Sequence, residues 1–220
     1  LAADRARTIE ETQGRRVGRK EMGGPGEALT HELLPRAFVR RRTTYGWIDP
    51  INGWLVIDAS AQAKAEEFLE HLRKSFEGFP ASLLKTQLSP SSAMTAWVAA
   101  GEAPSGFTID QDIELRSAEN ALIRYTRHTL EGKEIREHIG EGKVVTRLGM
   151  TWNDRISFVL DEKLQVKRLS FLDILKEENE NQAENEDERL DLDFTLMTGE
   201  LAHLLDDLIS ALGGEAEKGA

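Results

Sequence analysis

The chain has 220 residues, no cysteine, 40% hydrophobic residues and a net charge of −11 at neutral pH. That length holds one large domain or two small ones around a real core. The lack of cysteine excludes disulfides and thiolate metal sites, and no window approaches the roughly 18 apolar residues of a membrane span. The charge is unevenly placed: residues 1–47 carry a net +4, residues 48–171 a net −3 and residues 172–220 a net −12. Screening acts over only ~8–10 Å at ordinary ionic strength, so a locally basic surface can meet a polyanion although the whole chain is acidic. No secretory pattern opens the sequence, and a bacterial cytoplasmic protein is expected.

Residues 1–25 read as a charged, solvated helix broken by Gly23-Gly24-Pro25-Gly26. Residues 26–105 read as a hairpin with helices. A short helix from Glu27 is closed by Pro35, and Arg40-Arg41-Arg42 is the densest positive run. An aromatic strand (Tyr45, Trp47) and an apolar strand (Trp54 to Ile57) flank a Pro-Ile-Asn-Gly turn, where glycine supplies a positive φ. Ala61, Ala65, Phe68, Leu69, Leu72 and Phe76 recur at helical steps. Residues 81–88 are extended, and Ser89-Pro90-Ser91 starts a helix that runs to about Ala100.

Residues 106–176 read as an antiparallel meander. Phe107 to Thr129 gives two strands around Ser117–Asn120, and Glu134 to Ile139 a short helix. Val144, Leu148, Met150 and Trp152 share one parity, opposite to Lys143 and Arg147; Ile156, Phe158 and Leu160 line one face of the return strand. A third strand, Leu164 to Phe171, carries Lys167 and Arg168. Residues 177–191 are expected as an acidic linker. Residues 192–220 follow as a strand over Phe194–Met197 and an amphipathic helix capped by Thr198 and closed by Gly213-Gly214. The class is α+β: antiparallel hairpin and meander sheets with several short to medium helices.

Catalytic patterns are thin. Ser82-Leu-Leu-Lys85 lacks the companion motifs of acyl-transfer enzymes, and His31-Glu32 meets proline at position 35 where a zincin needs its second histidine. The five histidines show no metal-ligand spacing. Asp110, Asp112 and Glu114 alternate, so on a strand they would share a face and could hold Mg²⁺ for phosphodiester cleavage; a solvated strand face is the favoured reading, since the sequence names no Lys or His base to stand beside the metal. Four basic groups on separate elements suit phosphate contacts: Arg40, Arg41 and Arg42; Arg124, Arg127 and His128 near Tyr125; Lys143 and Arg147; Lys167 and Arg168. No helix rich in Arg, Asn and Gln offers to read base edges.

Several longer stretches carry a resemblance: Leu33–Phe38 followed by Trp47-Ile48-Asp49, Leu72–Ser75, Thr95–Val98, Gly106-Phe107, Gly142–Thr146, Leu196–Leu201 and Gly213–Ala216. In that order they resemble the RdgC family of recombination-associated proteins, over almost the whole chain. The family has an N-terminal portion without a counterpart here, and the chain opens on Leu1 without methionine, so a fragment is expected. The resemblance implies a ring-shaped homodimer whose basic hole encloses double-stranded DNA and which restrains RecA-promoted strand exchange, with no cofactor, no membrane and a nucleoid-associated location. It makes Arg127 and His128 candidates for the hole lining, and Leu33, Leu34 and Phe38 candidates for a subunit contact; sequence alone would place Phe38 in the core. It also keeps open an Mg²⁺-dependent exonuclease using Asp110, Asp112 and Glu114, since the family carries that description. A protein-interaction module acting through the acidic C-terminal region is the third reading. The expectation adopted is DNA binding without catalysis.

Overall fold

The computed structural model describes residues 11, 31, 33–38, 41–130, 132–172 and 185–216. The helix expected over residues 1–21, the Gly-Pro break, Arg40 and most of the expected linker lie outside them. The chain divides into two compact units, residues 1–45 and 46–220. In the first, Leu34–Arg36 is a turn of 3₁₀ helix, and Arg41 and Arg42 lie outside helix and strand.

The second unit is α+β. Strands β1 (Tyr45–Asp49) and β2 (Trp54–Asp58) form a two-stranded sheet. Asp49 holds their connection together by accepting from the Ile51 and Asn52 amides, both at 3.0 Å, and Gly53 takes the left-handed conformation at φ 75°. Helix α1 (Gln62–Ser75) follows, then an extended stretch, then α2 (Pro90–Ala100). Ser89 caps α2 by accepting from the Ser92 amide, and Gly101 closes it at φ 70°.

Strands β3 (Phe107–Arg116), β4 (Leu122–Tyr125), β5 (Val144–Trp152), β6 (Ile156–Asp161) and β7 (Val166–Phe171) form an antiparallel sheet of order β4-β3-β5-β6-β7. Helix α3 (Lys133–Gly140) intervenes between β4 and β5. One sheet face is the core: Ile113, Leu115, Leu148, Met150, Ile156, Phe158 and Leu160 are buried with Met94 of α2, Ile135 of α3 and three leucines of the last helix. Since α2 packs against β5, residues on both sides of position 105 share that core.

Two sequence expectations are corrected. The first concerns parity on β5. Val144 is exposed and Val145 buried, because Leu115 pairs with Val145 while its neighbour Glu114 pairs with Arg147, leaving Thr146 as an extra residue. A bulge of this kind shifts the alternation by one. The Val145 amide and carbonyl are satisfied from α2: Thr95 Oγ1 accepts from the amide at 2.9 Å, and Ser91 Oγ donates to the carbonyl at 2.7 Å.

The second concerns the C-terminal segment. Helix α4 runs over Glu186–Ala211, so Phe194–Met197 is helical rather than a strand, and residues 186–191 are helix rather than linker. Asn185 is the cap, accepting from the Glu188 amide at 2.9 Å. Thr198 instead bonds back to the Phe194 carbonyl at 2.9 Å inside the helix. Glu186, Asp187 and Glu188 complement the dipole of the first turn. The expected glycine stop is present: the Gly213 amide donates to Ser210 and that of Gly214 to Ile209, with both glycines at positive φ. Beyond it the chain runs antiparallel to residues 85–88, with a bridge between Thr86 and Glu215.

Candidate nucleic-acid interface

The sheet face opposite the core carries the candidate site, and the β5 bulge builds it. Thr146 and Arg147 both reach Glu114 on β3: Thr146 Oγ1 donates to Glu114 Oε1 at 2.9 Å, and Arg147 Nη1 lies 3.7 Å from Oε2. From β4, Arg124 donates to the same Oε2 through Nε at 3.2 Å and through Nη2. Arg116 stands 4.0 Å from Oε1 and pairs with Glu162 at 2.9 Å. Glu114 is only 4% exposed. Burial alone would push its carboxyl up; the hydrogen bonds from Arg124 and Thr146 and the field of Arg147 outweigh that and hold it below its ordinary value.

The pattern continues across the sheet. Asp161 of β6 is the register partner of Arg147. Its Oδ1 accepts from the Lys163 and Gln165 amides, at 2.9 and 3.0 Å, which fixes the β6–β7 turn. Its Oδ2 meets Lys167 of β7 at 2.9 Å. Above this row lies a cleft of about 390 Å³, lined on its other side by Ser60 and Ala61, just before α1, and by Gln62, its first residue.

Further along the same face, Asp112 on β3 and Arg168 on β7 approach to 3.5 Å. In a flat sheet their strands would stand about 14 Å apart, three spacings, and side chains standing upright on it would not meet. The sheet therefore curls around this face. Bulges on β3, between Ile109 and Ile113, and on β7, where Arg168 adopts φ 51°, accompany the curl. Asp112 also accepts from the Arg127 amide at 3.0 Å, pinning a left-handed Arg127 at φ 53° and its exposed side chain beside the face.

The described basic candidates of the second unit fall into two groups. Arg124, Arg147, Lys167 and Arg168 converge on the curled face, with Arg127 at its margin. Lys143 and His128 belong to a different cluster, beside α3. There Lys143 pairs with Glu141 and lies 3.3 Å from His138, which in turn meets Tyr125 Oη at 3.1 Å. His128 stacks at 5.0 Å against the Tyr125 ring. Arg41 and Arg42 are exposed in the other unit. Arg116 is a member of the face that the sequence reading missed, although its alternation with Glu114 on one strand placed it there.

The three carboxylates once grouped as a metal site have separate engagements. Asp110 accepts from Thr151 Oγ1 at 3.0 Å, Asp112 holds Arg127 and Arg168, and Glu114 holds the arginines of the row. Burial raises the Asp110 carboxyl, opposed by the Thr151 hydrogen bond and reinforced by the charge of Asp112. Among the described residues, no group of three His, Cys, Asp or Glu side chains is arranged to hold a metal ion, and no helix is long and apolar enough to cross a membrane. Phe38 is fully exposed, and Leu33 and Leu34 are exposed as well, which removes Phe38 from the core.

Residues 1–215 match the family model described as "RdgC: Putative exonuclease, RdgC". A "Recombination-associated protein RdgC" of Dechloromonas aromatica is 54% identical over 217 residues, covering 96% of this chain and 71% of that protein. Proteins of the same name from Herminiimonas arsenicoxydans and Burkholderia ambifaria are 53% and 54% identical, with 97% and 96% of this chain and 72% and 70% of theirs covered. With the family model spanning nearly every residue and relatives above half identity, this chain belongs to the RdgC family.

Proposed function

We propose that this protein works in DNA recombination by holding duplex DNA through its phosphates, without sequence preference, as a ring-shaped homodimer that limits a RecA-type recombinase. The observation that carries this reading is the convergence of Arg116, Arg124, Arg147, Lys167 and Arg168, from four strands, on one curled face. Curvature toward a row of cations suits a convex polyanion, and guanidinium groups suit phosphate oxygens. The relatives' name, which ties them to recombination, agrees with it. The exposed Leu33, Leu34 and Phe38 supply apolar surface for the contact between subunits. Such a protein resides with the nucleoid in the cytoplasm.

The test is duplex binding by the full-length protein over a salt series. Each phosphate contact contributes about −0.9 to the slope of log K against log salt, so a slope of several units is expected and a flat one overturns the reading. The family model's exonuclease description supports a second reading. Incubation of the full-length protein with DNA and Mg²⁺ decides it: cleavage abolished in Asp112→Ala would replace binding with catalysis.

A further inference from the structure

A basic surface built only to attract phosphate would not be interleaved with acids, yet this one is. From β4 to β7 the row reads Arg124, Glu114, Arg147, Asp161, Lys167, alternating in sign at every strand. The depths differ as well. The Glu114 and Asp161 side chains are 5% and 6% exposed, whereas those of Arg124, Arg147 and Lys167 are 54%, 44% and 36% exposed. The acids form the floor and the cations the surface that a partner meets. Around the cleft, Arg116, Arg124, Arg147, Lys163 and Lys167 face Glu114, Asp161 and Glu162, so five positive charges are cut to a net of two.

We infer that Glu114, Asp161 and Glu162 are built-in counter-charges that limit how tightly this face holds duplex DNA while keeping its cations in place. The inference rests on the DNA-binding reading above and deepens it by naming what regulates the affinity. An incoming phosphate must share each cation with a carboxylate already bonded to it, so fewer counterions are released per contact. A ring that retains DNA by enclosure does not need a high intrinsic affinity. Weak contacts on ordered side chains let the duplex move through it, and the buried acids spare the arginines part of the ordering cost of binding.

The experiment measures binding of a mixed-sequence duplex to the full-length protein over a salt series, for wild type, Glu114→Gln, Glu162→Gln and Arg147→Gln. Glu162 is part-exposed and glutamine keeps its shape, so Glu162→Gln decides the question even if Glu114→Gln fails to fold. Each acid-to-amide variant removes one negative charge and so unmasks the equivalent of one cation. The expected result is a slope steeper by about 0.9 and, at ~0.1 M salt, affinity raised by up to about eightfold. Arg147→Gln is expected to shift both quantities the opposite way. If Glu162→Gln binds no tighter than wild type while Arg147→Gln weakens binding, the carboxylates are structural only and the inference fails with the DNA reading intact. If Arg147→Gln matches wild type, the duplex does not use this face and both fall.

Discussion

Thr146 donates its hydroxyl to Glu114 across the β3–β5 pair at 2.9 Å, and a one-residue bulge in β5 turns it to the side on which Arg147 also lies. A backbone irregularity thus gathers the acceptor, its neutral donor and its guanidinium partners at one point. The same bulge leaves the Val145 amide to α2, through Thr95.

Thr146→Val should lower stability by about 1.5–3 kcal/mol, the range for hydrogen bonds to a charged group. Urea unfolding of the two proteins measures it. Thr146→Ser, which retains the hydroxyl, should recover most of the loss.

Thr95→Val should cost about 1–3 kcal/mol, because it strips the side-chain acceptor from the amide of buried Val145. Hydrogen exchange should show earlier opening at Val145 than at Leu148, whose ladder pairing is unaffected. Equal protection in mutant and wild type would contradict this account of the bulge.

Two carboxylates of β3, Glu114 and Asp110, pull stability in opposite directions with pH. Glu114, held below its ordinary 4.5, contributes stability above that value and loses it as pH falls through the lower folded-state pKa. Asp110 is raised above 3.8. Its preference for the folded state is complete below 3.8 and fades as pH rises through its folded-state pKa, so the ionised form carries a cost at neutral pH. Asp110→Asn should therefore raise the melting temperature at pH 7, with the gain vanishing below about pH 3.8. Glu114→Gln should flatten the acid limb of the stability curve. Melting scans across pH separate the two.

Phe38→Ser should leave monomer stability within about 0.5 kcal/mol of wild type, as surface changes usually do, because the ring is fully exposed. If Phe38 seals the contact between subunits, sedimentation should show a weakened dimer and DNA retention should fall with it. An unchanged dimer with unchanged affinity would remove Phe38 from that contact.

Where the sequence pattern was strict, it was sufficient. Ile156, Phe158 and Leu160 alternate without interruption and all are buried on one face. Val144 and Val145 are adjacent and equally apolar, so nothing in composition says which turns inward; tertiary bonds from Ser91 and Thr95 decide it. The start of α4 was hidden in an acidic run that resembles a linker, yet Asn185 followed by Glu186, Asp187 and Glu188 is a cap and a dipole-matched first turn. For the site, alternation located the cations of single strands. It could not reveal that Arg124, Arg147 and Lys167 each stand against a buried carboxylate, because that depends on the strand order and on two bulges.

The bridge from Thr86 to Glu215 joins positions 129 apart in sequence, and the whole five-stranded sheet is threaded between them. Closing so long a loop is entropically unfavourable and slow. During synthesis the sheet must consequently wait, with one hydrophobic face covered only in part by α2 and α3, until α4 has left the ribosome and Leu201, Leu204, Leu208 and Leu212 are seated. Completion of this core is thus timed by α4, and the stage before that helix docks is when a nascent chain most needs chaperone cover.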